Sequence, residues 1–521
     1  MKTVLNGFPL ILISIVMILI TGTSSGYDFS SNITVNDYTS GQQAIYFTSG
    51  MHSIAASGDT VCVVWSDYRE SGGPNIYFAI STDGGESFGT SVMVNDPLPY
   101  GRGTDSPTVC IGADGTIYVA WHDNRTGAGS DDDFRIYISW STDGGETFST
   151  DTPVWDSSVN ANFFAGIAVD SEGRIVVSFY DGTNPFFHIY CAVSTDGGLS
   201  FQDPVIVDDS GSGNPSSQTI GIGPDNEIYI AWHDNRNGNY DIFFDRSVNA
   251  GVSFGIDVRV DDTGTTDVTQ FSPSLAVAEN GDVCIAWRDH RNDTGNNNID
   301  IYGCKSTDNG VTFLPDVRIN DEASGISVQY RPSIATGNDY IGVAWYDYRN
   351  GNWPDYPDIY FSFSDNGFES FSNDIKVNDN ETLLTQMLAC LSMTFDGTAY
   401  VAWSDNRSDP EFDVYFSVGT PEPSGIVSSD QSAVPVVLSR NYPNPFSRET
   451  TISYVLNEPG DVLLQIYDIH GRLQETIVNC VQPSGDHSVV WNAEGLSSGC
   501  YFYRITTGDF TEVRDCVVIG K

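Results

Sequence analysis

Carboxylates and guanidiniums recur in register along this chain. Asp follows Trp by two positions, and Arg follows that Asp by two, at Trp65, Trp121, Trp232, Trp287, Trp345 and Trp403. The copy at Phe179 keeps Asp181 but has Thr183 in place of Arg. A ring of such groups has the chemistry to hold a sugar acid. One ligand, however, needs one asymmetric arrangement, which an identical repeated pair does not give. Ion pairing that ties hairpin ends or neighbouring units together accounts for the repetition, so Trp121, Asp123 and Arg125 are assigned to the scaffold. Binding chemistry is expected where the repeat breaks. Arg331, beside Tyr330, replaces the serine seen at Ser106 and Ser272. Arg102 and Tyr100 lie in the matching loop of an earlier copy. Thr104, Asn162, Gln270, Gln329 and Gln386 start the corresponding runs and suggest a polar collar. The copy without Arg offers Asp181 and His188, with Phe186 and Phe187 between them. Aromatics beside amides, Arg and Asp suit a carbohydrate, whose apolar faces stack on rings while hydroxyls take the polar groups. Solvated loops with no ligand are the plain alternative.

The elements that must position these residues follow from the repeat. From Trp65 the intervals are 56, 58, 53, 55, 58 and 58 residues, counting Phe179 as the third copy. Each copy holds four extended runs. Residues 274–278, 283–287, 300–304 and 317–320 show them, separated by Asn, Asp and Gly turns. No helical periodicity of any length occurs. Four-stranded units repeated radially predict an all-β, seven-bladed β-propeller over residues 33–419. The motif of the fourth strand also occurs at Ile33–Asp37, ahead of the first inner strand, while nothing like it follows Tyr415. The start of the chain should therefore complete the last blade and close the ring.

A turn reading Ser-x-Asp-x-Gly-x-x-Phe follows the third strand at Ser81–Phe88, Ser141–Phe148, Ser194–Phe201 and Ser306–Phe313. Ser247–Phe254 has Asn249 for Asp, and Asp365–Phe371 is read as a copy with one extra residue. Asp83, Asp143, Asp196 and Asp308 would accept backbone amides within these turns, and Gly would take the left-handed position. The turn resembles the Asp box, or bacterial neuraminidase repeat, of sialidase-superfamily propellers. That resemblance implies a fold and leaves the chemistry open. Family enzymes hold a carboxylate with three arginines and carry a Tyr–Glu pair. Arg102 and Arg331 match two of the three by type; the third Arg and the Tyr–Glu pair are unassigned. The family's Phe/Tyr-Arg-Ile-Pro motif has only a partial counterpart at Phe134–Tyr137, in a third strand.

Residues 1–26 read as a secretory signal peptide, with an apolar run from Phe8 to Ile20 and small residues after it. No other run is long enough to span a membrane. Residues 420–435 read as a linker. Residues 436–521 alternate strands with Gly and Asn turns and predict a small Ig-like β-sandwich. Its Asn-Tyr-Pro-Asn-Pro-Phe opening at 441–446 and Gly-x-Tyr-Phe-Tyr strand at 499–503 resemble the C-terminal sorting domain of type IX secretion cargo. The resemblance implies secretion machinery as a partner and a secreted or surface location.

A formal charge of -46, from 69 acidic and 23 basic residues, excludes nucleic acid as a partner. Seven histidines show no metal-ligand spacing, so no cofactor is expected; Asp131, Asp132 and Asp133 alone offer oxygens to Ca²⁺. Nine cysteines leave one unpaired. Cys284 and Cys304 flank a hairpin as possible cross-strand neighbours, although buried thiols without disulfides fit a chain of this size. The expectation is a secreted or cell-surface propeller presenting a glycan- or protein-binding face. An exo-α-sialidase or other glycoside hydrolase acting on extracellular glycans is the alternative.

Overall fold

The computed structural model describes residues 26–38, 42–45, 52–70, 72–98, 102–125, 134–155, 162–182, 187–209, 211–264, 268–293, 295, 298–322, 327–350, 355–380, 383–408, 411–421, 436–438, 446, 448–456, 459–468, 472–493, 496, 499–508 and 510–518. The signal-peptide run, Tyr100, Asp131–Asp133, Phe186, most of the linker and residues 441–445 lie outside them. The chain divides into two compact units, Met1–Ser424 and Gly425–Lys521. All regular structure among the described residues is strand, and no helix there is long and apolar enough to cross a membrane.

The larger unit holds seven antiparallel sheets of four or five strands. Their inner strands are Ile54–Ser57, Thr104–Ile111, Asn162–Val169, Ser216–Ile222, Gln270–Val277, Gln329–Thr336 and Gln386–Met393. Each neighbours the next and the last neighbours the first, which makes a ring of blades. Ile33 pairs with Phe416 and Thr34 with Tyr415, so the chain start supplies the outer strand of blade seven. Tyr27–Phe29 pairs further along the same strand, an addition the repeat did not announce.

Period-two alternation in the second strand puts Trp and the Asp two residues on along one face. In five blades the indole Nε1 donates to that carboxylate, at 2.9–3.2 Å, as in Trp121 to Asp123. The Arg two further on closes the turn. Arg125 donates its backbone N–H to Asp123 Oδ1 at 3.0 Å, and its guanidinium bonds the same carboxylate. That guanidinium also lies 4.0 Å from the Tyr137 ring centroid, a geometry repeated over Tyr77, Phe243, Tyr302, Tyr360 and Tyr415. It then reaches a second acid ahead of the outer strand, Asp151, at 2.6 Å. Asp151 accepts the backbone N–H of Asp96, in the preceding blade, and donates its own to Asp96. The same interlock joins Asp209 to Asp257, Asp262 to Asp316 and Asp321 to Asp374. The repeated Asp–Arg pair is thus a clasp within and between blades.

The Ser-x-Asp-x-Gly turns lie at the other end of the third strands. Ser81 Oγ donates to Asp83 Oδ1 at 2.6 Å, Gly85 N–H donates to Ser81 Oγ, and Ser87 N–H donates to Asp83. Asp143, Asp196 and Asp308 repeat the pattern. The second glycine is set by the neighbouring blade: a Cβ on Gly145 would lie 2.2 Å from Phe78. Blade six corrects the sequence reading. Its turn starts at Ser364, with Asn366 in the Asp position, and has no extra residue. Phe368 stands where the other turns have Gly, at φ 78°, and the preceding blade answers with Gly303 in place of its aromatic. The large and small residues have exchanged sides, so the volume is kept.

The cysteine expectation is also resolved. Cys284 pairs with Lys305 and Cys304 with Ile285, an offset of one that puts the two thiols on opposite faces of the hairpin. Both are free, as are Cys62, Cys110, Cys191 and Cys480. The smaller unit has a three-stranded and a four-stranded sheet around Leu438, Phe446, Tyr454, Leu464, Trp491 and Tyr503.

Burial, with the second carboxylate beside it, pushes Asp257 and Asp316 up to about 7 and Asp374 up to about 8, against the pull of the arginines. The folded ring then keeps protons that the unfolded chain releases above about pH 4, so this contribution is lost as pH rises through 7 and 8. Buried histidines act in the opposite sense, but only below about pH 6.5. The melting temperature should fall between pH 6.5 and 8, and Asp374→Asn should make that fall shallower. An unchanged slope in scanning calorimetry would show Asp374 ionised in the folded ring.

Candidate functional site

The residue between Trp and Asp in each second strand faces away from both. It is Ser66, His122, Tyr180, His233, Arg288, Tyr346 or Ser404. It meets a bulge in an inner strand. Six inner strands slip register after their first or second residue. The bulge residue is left-handed in each: Ser106, Phe164, Ser217, Ser272, Arg331 and Leu388, at φ 51–61°. Such non-glycine strain needs support from its surroundings. Neighbouring second strands supply it. Phe164 N–H donates to His122 Nδ1, Ser272 N–H to His233 Nδ1, and Ile45 N–H to Ser404 Oγ. Ser66 Oγ donates to Asp105, which accepts the Ser106 N–H. Both histidines must be neutral to accept at Nδ1, and burial pushes them down to about 3.

Arg288 breaks this rule, because a guanidinium has no acceptor. It lies 3.8 Å from the centroid of Tyr330, in the next blade, and its Nε is buried without a hydrogen-bond partner. Among the described residues no carboxylate comes within ion-pair distance of it. Burial lowers its pKa, and the nearby Arg331 guanidinium adds to the effect. Tyr346 stacks on Tyr330 at 5.5 Å, and Tyr348 stands edge-on to both at 6.0 Å. Burial raises Tyr346, while its bond with Arg331 works against that. His290 lies 5.8 Å from Phe271; its Nε2 has no partner, and burial pushes it down to about 4. Two arginines, a neutral His and four aromatics thus meet over blades five and six.

Blades two and three present a different surface. Phe134, Phe163, Phe164, Tyr180 and Phe187 are all half-buried and join through ring contacts of 5.4–6.2 Å. Below both, the channel between inner strands encloses about 330 Å³ and is lined mainly by apolar residues such as Val109, Ile167, Leu275 and Ile334.

The sequence candidates separate. Arg331 and Tyr330 are in the cationic cluster. Gln270, Gln329 and Gln386 are not an open collar: they are fully buried opposite Asp289, Asp347 and Asp405. Gln329 Nε2 donates to Asp347 at 3.1 Å, so this layer backs the clasp. Thr104 occupies the same layer in blade two. Arg102, half-buried at the boundary of blades one and two, is three blades from Arg331. Asp181 pairs in register with His188, whose Nδ1 lies 3.1 Å from Asp208 in blade three. There the missing Arg leaves Tyr190 to be covered by Trp155, at 5.3 Å. Arg288, Tyr346, Tyr348, His233 and His290 were missed. Their signal was present: the two residues inside Trp-x-Asp-x-Arg change from copy to copy.

Residues 440–519 match the secretion system C-terminal sorting domain family. The chain is therefore secreted or held on the outer cell surface. No curated protein matches the sequence. Among solved structures, the polysaccharide lyase Uly1 is similar at 12% identity and TM-score 0.50, over 75% of this chain and 99% of that one. A protein of unknown function from Dyadobacter fermentans has 12% identity and TM-score 0.45, over 76% and 99%. The α-L-arabinofuranosidase Arb93A from Fusarium graminearum has 12% identity and TM-score 0.43, over 60% and 91%. At such identity the likeness to Uly1 speaks for the architecture alone.

An arginine without a carboxylate contributes little to stability where it costs desolvation. Arg288→Met should leave the melting temperature unchanged or higher. Arg125→Met, which strands buried Asp123, should cost about 3 kcal/mol or more. Equal losses in chemical denaturation would show that Arg288 is a scaffold residue.

Proposed function

We propose that the propeller binds an acidic extracellular glycan at the mouth over blades five and six. One observation carries this reading: Arg288 and Arg331 lie together, half-buried among tyrosines, on a chain whose formal charge is -46. Two neighbouring guanidiniums repel each other, and a carboxylate or sulfate relieves the repulsion through paired N–H bonds. Tyr330 and Phe271, both half-buried, offer ring surface to the sugar, and the aromatic surface of blades two and three takes further units of the chain. The sorting domain supports access to glycans outside the cell.

The test is binding of the full chain to immobilised polygalacturonate, a sulfated galactan and a neutral galactan. The two acidic polymers should bind, more weakly as salt rises. Arg331→Ala and Arg288→Met should each weaken binding at least about tenfold, or roughly 1.4 kcal/mol. Equal binding of the neutral polymer, or unaltered binding by both variants, would sink the reading.

Hydrolysis is the second reading, favoured by Asp105. Burial pushes this carboxyl up to about 6, where it can serve as a general acid near neutral pH. Under that reading the full chain releases sugars from one of these polymers, or sialic acid from a sialylated glycan, and Asp105→Asn abolishes release.

A further inference from the structure

The Asp-box face carries a second surface, independent of the mouth. The sixth residue of the turn is exposed in all six described copies. It is Glu86 in blade one, Glu146 in blade two and Glu369 in blade six. In blades three, four and five it is Leu199, Val252 and Val311, exposed by 69%, 68% and 51%. The turn does not require either type, because both occur on the same hydrogen-bonded frame. Blade four adds Val248, where four of the other copies have Thr, and Ile256, exposed by 81%. Blade five adds Leu314. Among the sixth residues of these turns, the apolar ones therefore lie in three consecutive blades. Neighbouring turns are joined, since Arg246 donates to the carbonyl of Asn309 in the next turn at 2.7 Å.

A cluster of exposed aliphatic side chains on a soluble surface marks an interaction site. Its rim selects the partner. Asp196, Asp203, Asp225, Glu279 and Asp308 are exposed on these turns and the adjoining inner-strand turns. The cations there are engaged: Lys305 with Asp282 at 3.1 Å, and Arg246 with Asn309. A second copy would bring an equally acidic rim against this one. We propose that the Asp-box face of blades three to five docks a basic protein surface with an apolar centre, seating aliphatic side chains on Leu199, Val252 and Val311 while Lys or Arg residues meet the acidic rim.

The test exchanges the apolar residues for the one that blades one, two and six carry: Leu199→Glu, Val252→Glu and Val311→Glu together. Melting should shift little, as the site is exposed and accepts Glu elsewhere. The probe is an immobilised peptide of alternating Leu and Lys; the control has Ser in place of Leu. The wild-type full chain should bind the Leu/Lys peptide at least about tenfold more tightly than the control, and the triple variant should lose that preference. No preference in the wild type, or one that survives in the variant, overturns the proposal. So does a wild-type dimer in sedimentation velocity that the triple variant dissolves, because the occupant would then be a second copy.

Discussion

The structure rests on a carboxylate that no water reaches. Asp123 and its counterparts in five other blades are fully buried, and a buried ion is tolerated only when its lone pairs are filled. The indole two residues back, the backbone N–H two residues on and a guanidinium fill them. That requirement explains why Trp, Asp and Arg travel together at fixed spacing. The Arg in turn needs its aromatic and its second acid. The second acid binds the preceding blade, so satisfying one carboxylate ties two sheets together. Four-stranded sheets with twisted faces would otherwise meet mainly through apolar contact, which fixes no register.

With that layer fixed, the residues facing the other way are released from a structural role. The position inside Trp-x-Asp has one remaining duty, to steady the strained bulge of an inner strand. Neutral His and Ser404 meet it by accepting an N–H, and Ser66 by donating to Asp105, which accepts the N–H of Ser106. Arg288 does not, and the arginine opposite it occupies the strained position itself. Departure from the rule at both partners, in adjacent blades, separates this part of the mouth from the rest. Blade three departs differently: losing its Arg, it covers Tyr190 with Trp155 and brings His188 to Asp208.

Much of the fold was legible because the repeat forces it. The strand order, ring closure by Ile33–Thr34 and the scaffold role of Asp123 and Arg125 follow from residues that must recur. The site was legible only in part. Arg331 and Tyr330 stood out as breaks in a conserved slot of the repeat. Arg288 did not, because its slot holds Ser, His, Tyr or Arg in different blades and variation looks like freedom. The Gln residues misled for a related reason. Polar side chains at strand ends suggest solvent, but here they back a buried carboxylate that needs further donors. The blade-six turn misled because Phe368 hid the Gly position, and only the opposing Gly303 shows why Phe fits. Compensating exchanges between distant segments leave no mark on local spacing.

The sorting domain places the propeller outside the cell. The account's central claim is that Arg288 and Arg331 act together on one anion. The measurement that tests it most directly is a crystal structure of the full chain with a short oligogalacturonate. A carboxylate within hydrogen-bond distance of both guanidiniums, with a sugar face on Tyr330 or Phe271, is the predicted result. An oligosaccharide seated elsewhere on the propeller, with both guanidiniums untouched, would contradict it.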